Sequence, residues 1–436
     1  MGRDDCGGFE RAGCGAGVSA PLRVLIVSLF HPELIRGGAQ QIAYELFEEL
    51  KVTPGVEPIF LASVDSTYPA LFKSGACITG FDGREDEFLF LMQDYDYWWH
   101  KTSQPRMVEA FAEFLGMVRP DVVHFHHFFT YGVDMLTLTR QELPDARIVF
   151  TFHEFMAICA ADGQMVRRTD KSLCTRASGV RCHQCFPERG PEQFLMRRLW
   201  MLRHFSVVDA FTCPSAFMLP FYEDWGLPAD KLHHVSNGQR RYGTHQAPPV
   251  GPKKRFGFFG QLVDNKGVQV LLRAVRILRA QKFDDFVVEI NGENIKWASA
   301  PIREEIENFL AEEKELPHDE QVVVLNGGYH IDDLASRMAR VDWCIVPSTW
   351  WEIFGLVISE AWMFGKPVIC SNRGGPGERV RDEVDGLHFQ LGDARALAEV
   401  MKRAATEDGL WERLRAGLPE PPRRAGMAAG YLGLYR

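Results

Sequence analysis

The chain has no surplus of positive charge: 49 lysines and arginines stand against 58 aspartates and glutamates, a formal net charge of −9. A global basic field for nucleic acid is therefore missing, and no nucleic-acid partner is expected. No uninterrupted apolar run approaches the roughly 20 residues that span a bilayer. Residues 1–20 are Gly-rich and hold no apolar core of a secretory leader. These absences predict a cytoplasmic protein, and they leave open a peripheral contact with the inner face of the membrane. No short-period repeat is present. Cysteine is not scarce, but the ten cysteines are spread through 436 residues. That spread favours free thiols or a metal site over a disulfide framework.

What is present suits a globular protein of two domains. The length exceeds one ordinary core, and 46% hydrophobic with 25% charged residues is ordinary for such chains. Continuous apolar runs at 22–29, 58–62, 121–125, 147–152 and 207–213 read as strands buried on both faces. Helical patterns lie between several of them, the first with Ile42, Leu46 and Leu50 on one face. Residues 239–254 break the pattern with Pro, Gly and charge, as a linker does. A second series follows, with runs at 255–259, 286–290, 321–325, 342–346 and 367–370. Its first helix carries Val268, Leu271, Leu272, Val275 and Leu278 on one side. The predicted class is α/β, with two doubly wound, Rossmann-like halves facing a central cleft at their C-terminal strand edges. The halves span 21–240 and 253–410, joined by a linker at 241–252 and preceded by a disordered tail at 1–20.

Two stretches carry the chemistry. In GFFGQLVDNKG at 257–267 a strand ends, a loop carries Lys266, and a helix begins. Free amides at a helix start beside a lysine suit a diphosphate. In PSTWWEIFGLVISE at 347–360, Glu352 and Glu360 are separated by seven residues around Gly355, with a helix predicted over 358–364. A carboxylate accepts two hydrogen bonds from vicinal hydroxyls. Two glutamates can thus grip two sugars while turn amides hold the phosphates between them.

His153 ends the 147–152 run and faces the predicted cleft, where an imidazole can donate a hydrogen bond or manage a proton. His124, His126 and His127 end another strand and read as cleft or packing residues. Cys159, Cys174, Cys182 and Cys185 give C-x14-C-x7-C-x2-C. Four such thiols can close a tetrahedral structural zinc site. Redox-active or unbound thiols and an iron–sulfur cluster are the other chemistries that this spacing permits. The segment RRLWMLRHF at 197–205 is basic and apolar at helical spacing. It reads as a buried helix with snorkelling arginines or as a membrane-surface helix.

Taken in order, GGAQ at 37–40, FHE at 152–154, FGQLVDNKG at 259–267, NGE at 291–293, GGY at 327–329, the paired glutamates and AWMFGKPVI resemble the retaining family-4 glycosyltransferases of GT-B architecture. The resemblance covers about residues 21–436. It implies transfer of a sugar from a nucleotide-diphosphate sugar to a saccharide or lipid-linked acceptor, in polysaccharide or glycoconjugate synthesis. No cofactor is implied for catalysis. Gly37 and Gly38 would meet the donor phosphates and Lys266 would pair with the diphosphate. Glu352 and the amides of Phe354, Gly355 and Leu356 would line the donor-sugar site, with His153 beside it. Glu360 would bind the ribose, with Gly292 and Tyr329 near the base. Residues 411–436 would return to the first domain, and 156–190 would be a Cys-rich insertion. Gln261 stands where many members have arginine, so the diphosphate loses a cationic partner there. This feature keeps alive a sugar-nucleotide-binding protein without transfer; an epimerase or phosphorylase of the same fold is a further alternative. Asp94 and Asp96 match a metal-binding D-x-D pattern but sit in an aromatic stretch, and read as coincidence.

Overall fold

A computed structural model describes residues 20–64, 68, 71–72, 75–243 and 251–436. The expected tail, apart from Ala20, and residues 244–250 of the expected linker lie outside the described residues.

The first half is built on an eight-stranded sheet. Its strands are β1 (Leu22–Ser28), β2 (Val56–Val64), β3 (Ile78–Gly80), β4 (Glu87–Leu91), β7 (Val122–Phe125), β8 (Arg147–Thr151), β9 (Ala210–Cys213) and β10 (Leu232–His234). The minor strands β5 (Tyr95–Asp96) and β6 (Lys101–Thr102) form a separate antiparallel ribbon. The order is β10-β9-β8-β7-β1-β2-β4-β3, and only β3 runs antiparallel to its neighbour. Alternation along β1 divides the core. Leu25 and Val27 pack with the helices Pro105–Val118, Met135–Glu142 and Pro191–Phe205. Val24 and Ile26 face Gly38–Lys51 and the C-terminal helix Arg424–Leu434. Successive side chains of a strand point to opposite faces, so one apolar run serves two helical layers.

The second half repeats the plan with six parallel strands: β11 (Arg255–Phe259), β12 (Val287–Asn291), β13 (Val323–Gly327), β14 (Trp343–Val346), β15 (Val368–Ser371) and β16 (Gly386–Phe389), in the order β13-β12-β11-β14-β15-β16. Helices Val268–Ala280, Ala300–Glu315 and Ala394–Thr406 cover one face. Leu334–Ala339 and Leu356–Met363 cover the other. Both sheets reverse strand order beside their first strand, the position at which open α/β sheets bind ligands.

Several expectations shift. The run at 321–325 pairs as Val323–Gly327, an edge strand with Val324 and Leu325 exposed. Strands β3, β10 and β16 escape the apolar-run reading because they are short. Strand β4 is a further strand although the apolar run at 88–92 is not among the expected ones; it opens on Glu87, whose carboxylate is buried against His31 at 2.8 Å and Arg84 at 2.9 Å.

Candidate functional site

The C-terminal edges of the two sheets enclose a cavity of about 190 Å³. From the first half come Gly38, Ala39, His153 and Asn237; from the second come Gly260, Lys266, Ser348, Glu352 and the turn Ile353–Val357. Lys266 arrives because β11 ends at Phe259 and a single 3-10 turn, Asp264–Lys266, leads into the next helix. Gly267 closes that turn at φ +78°, and an added Cβ would lie 1.8 Å from Pro347 O.

Glu352 is nearly buried, and three donors converge on its Oε2: Lys266 Nζ at 2.7 Å, Ser348 Oγ at 3.0 Å and Trp350 Nε1 at 3.0 Å. Burial pushes its carboxyl up, but the Lys266 charge and these hydrogen bonds outweigh burial and hold it below the ordinary range. It is an anion at neutral pH, and its Oε1 carries none of these bonds.

The turn after Glu352 bends at Gly355, which has φ +70°, a conformation that glycine adopts at low cost. The helix Leu356–Met363 starts there. Its first-turn amides have no intrahelical acceptor, and Phe354, Gly355 and Leu356 all line the cavity. Glu360 sits in the same helix but does not line the cavity. Its Oε1 accepts a bond from Gln239 Nε2 at 3.2 Å. Burial pushes its carboxyl up to about 7, against the weaker pull of Gln239.

His153 lines the cavity from the first half. Burial lowers it to about 4, so the ring is neutral. Its Nε2 lies 2.9 Å from His126 Nδ1. Behind them His124 joins Tyr435 Oη at 2.8 Å and Thr151 Oγ1 at 2.7 Å. His127 Nδ1 accepts from Phe129 N at 2.9 Å, so its proton sits on Nε2, 3.3 Å from Glu154 Oε1. These three histidines are buried structural polar groups.

The remaining predicted residues are nearby but outside the cavity wall. Gly37 precedes the helix that brings Gly38 in. Gln261 follows Gly260, and Gly292 N donates to Gly327 O at 3.0 Å. The Tyr329 ring meets Phe259 edge-on at 6.0 Å, and burial and the Glu360 charge raise its hydroxyl. Asp96 Oδ1 accepts from Trp98 N at 2.9 Å and Trp99 N at 3.0 Å, a local turn role.

Sequence reading missed Ser348, Trp350, Asn237, Gln239 and Arg379. The first two lie inside the recognised motif. Gln239 opens the stretch at 239–254 where the strand and helix pattern breaks, and Arg379 lies 19 residues beyond Glu360 with no motif of its own.

The structure does not support the zinc expectation. Cys159, Cys174, Cys182 and Cys185 do line one small cavity of about 30 Å³. Among the described residues, however, no group of three or more His, Cys, Asp or Glu side chains is set to hold a metal ion. The Cys174 thiol turns to Arg176 O at 3.4 Å. Burial pushes Cys159 up to about 11 and raises Cys182. The expected snorkelling also changes. Arg197 is buried and donates to Ala157 O at 2.8 Å, Met156 O at 2.7 Å and Trp98 O at 3.2 Å, whereas Leu195, Met196 and Leu199 are exposed. Among the described residues no helix is long and apolar enough to cross a membrane.

A model described as Glycosyltransferase Family 4 matches residues 36–239, and one described as Glycosyl transferases group 1 matches 245–417. A putative glycosyltransferase, YtcC of Bacillus subtilis, is 25% identical over 311 residues, 70% of this chain and 69% of that one. The lipopolysaccharide 1,2-N-acetylglucosaminetransferase of Salmonella typhimurium is 28% identical over 185 residues, 40% of this chain and only 47% of that protein. The structure of Anabaena Alr3699/HepE in complex with UDP and glucose superposes with a TM-score of 0.64 at 15% identity, over 95% of this chain and 99% of that one. That last likeness shows the fold, a GT-B arrangement.

Proposed function

Since the chain belongs to the glycosyltransferases of group 1 and family 4, we propose that it moves a sugar from a nucleoside-diphosphate sugar to an acceptor hydroxyl with retention of configuration. The acceptor is a saccharide or lipid-linked saccharide in polysaccharide or glycoconjugate assembly. The observation that carries this reading is the Glu352–Lys266 pair at 2.7 Å, set in one cavity with free turn amides on one side and His153 on the other.

In this scheme the diphosphate meets Lys266 and the amides of Gly355 and Leu356, with Gly38 closing from the opposite half. Glu352 accepts hydrogen bonds from the donor-sugar hydroxyls through Oε1, the oxygen that takes none of its three bonds to Lys266, Ser348 and Trp350. Because Lys266, Ser348 and Trp350 fix Oε2, the carboxylate is oriented before the sugar arrives. As the glycosidic bond breaks, charge builds on the departing diphosphate. Lys266 and the amides are already aimed at it, which is electrostatic preorganisation. Those fixed positive groups perform the task without a cofactor. The acceptor hydroxyl attacks from the same face, beside neutral His153, which can hold a hydrogen bond but bears no charge. Glu360, outside the cavity and close enough to raise Tyr329, suits the ribose, with the base toward Gly292 and Tyr329. The UDP and glucose named for the Anabaena structure and the sugar transfer named for the Salmonella relative agree with this donor and acceptor chemistry.

A thermal-shift screen of nucleoside-diphosphate sugars tests the donor, since a matching ligand stabilises by mass action. Lys266→Ala and Glu352→Ala should each lower kcat/KM about 100- to 1,000-fold with the fold intact. Near-normal turnover in both would overturn the assignment. The exposed Leu195, Met196 and Leu199 beside exposed Arg198 and Arg203 support peripheral contact with an anionic membrane. Co-sedimentation with phosphatidylglycerol vesicles should fall in Leu195→Ser/Leu199→Ser; equal binding by that variant, or none by the parent, would remove this contact.

A further inference from the structure

The turn that presents the donor-site amides is held from behind by Arg379. This residue ends the short helix Gly374–Arg379, and its side chain runs beneath the turn. Its guanidinium donates through Nη1 to Phe354 O at 2.9 Å and Gly355 O at 3.0 Å, and through Nη2 to Ser359 Oγ at 2.6 Å. Its Cζ sits 3.6 Å from the Phe354 ring centroid and 5.0 Å from that of Trp362. Among the described residues no carboxylate forms an ion pair with it. Glu378, its chain neighbour, spends both oxygens on Ala216 N at 2.9 Å and Phe217 N at 2.6 Å. Burial pulls the guanidinium down to about 9, with Glu378 offsetting part of that. It remains charged at neutral pH.

A buried cation without a counter-charge is costly unless something else compensates it. Here two carbonyl oxygens do so, and the choice of carbonyls matters. A trans peptide is planar, with its C=O and N–H pointing in opposite directions. Fixing the carbonyls of Phe354 and Gly355 toward Arg379 therefore turns the N–H groups of Gly355 and Leu356 the other way, toward the cavity. Neither amide donates a hydrogen bond within the described residues. The cation also polarises both peptides, strengthening their N–H groups as donors.

We propose that Arg379 is a positioning residue for diphosphate recognition: its guanidinium aims the Gly355 and Leu356 amides into the cavity and supplies the buried positive charge whose partner is the ligand's diphosphate. This inference rests on the donor reading above and adds to it a residue that touches no substrate. It also answers the Gln261 departure, because the missing cation is supplied from beneath the turn instead of from the loop after β11.

Titration calorimetry with UDP, GDP and ADP, and competition with the matching nucleosides, separates the possibilities. In Arg379→Gln the affinity for whichever diphosphate binds the parent should fall about 100-fold, the effect of losing aimed donors at a developing or fixed anion. Nucleoside affinity should stay within about twofold, because the nucleoside presents no phosphate. Arg379→Lys keeps the charge but not the planar fork, so it should recover part of the loss. Parallel losses for nucleoside and diphosphate, or no loss at all, overturn the inference while leaving the donor reading in place. A parent that binds none of the three diphosphates overturns both. If the variants fail to fold, amide exchange on the parent decides. Gly355 and Leu356 should be protected by the diphosphate and not by the nucleoside; equal protection by the two, or none, overturns the proposal.

Discussion

Glu352 and Glu360 are the same side chain in opposite electrical settings. Glu352 has a lysine at 2.7 Å and stays ionised. Glu360 has only the neutral amide of Gln239 at 3.2 Å, and burial raises it from 4.5 to about 7. Between those pH values the folded chain keeps a proton that the unfolded chain has released. The stability from this group is therefore full below about pH 4.5 and is lost as pH rises through 7. Glu360→Gln should stabilise the ligand-free protein at pH 8 by up to roughly 3 kcal/mol and change little at pH 4. Urea denaturation at the two pH values checks this; an unchanged midpoint at pH 8 would mean that the carboxyl is well solvated. The spacing of the two acids was legible in the chain. Their difference in ionisation was not, because it depends on Lys266 and Gln239, 86 and 121 residues away.

At the scale of elements, the loops after β11 and β14 hold the site, and their backbone geometry is tightly constrained. Gly267 has both a left-handed φ and no room for a Cβ beside Pro347 O. Gly267→Ala should therefore cost about 2–4 kcal/mol and displace Lys266, the preceding residue. Chemical denaturation together with diphosphate affinity tests this; an alanine variant of parental stability would mean that the two loops part easily. Long apolar runs announced the central strands, since a strand buried on both faces needs no polar alternation. Strands β3, β10 and β16 carried no such run. They are strands because a neighbouring edge offers hydrogen bonds, which a local pattern does not record.

At the scale of the molecule, the halves meet through more than the linker. Ser215 Oγ donates to Ile353 O at 2.6 Å, and Trp351 Nε1 to Cys174 O at 3.0 Å. Ile353 and Phe354 share an apolar cluster with Phe155, Phe211 and Tyr222 of the first half. The Glu378 carboxylate caps the Ala216 and Phe217 amides across the cleft. Such a cap is worth about 1 kcal/mol, so Glu378→Ala should shift a closed-to-open equilibrium roughly fivefold. Small-angle scattering of the ligand-free protein should then show a larger radius of gyration than the parent; an identical profile would mean that the apolar cluster alone holds the halves together. The Cys-rich segment belongs to this contact through Cys174 O, a role that its spacing, read as a metal motif, did not suggest.

The sequence by itself determined the α/β class and the two alternating series, and it carried the family resemblance that singled out Glu352, Glu360 and Lys266. The class and the series follow from periodicity, and the resemblance from short motifs taken in order along the chain. Only the tertiary structure decided that Glu352 meets Lys266 while Glu360 meets Gln239, that the turn Phe354–Leu356 lines the cavity, and that Arg379 lies beneath that turn. Each of those depends on distances between segments far apart in sequence, where burial and Coulomb interaction are set by packing and not by spacing along the chain.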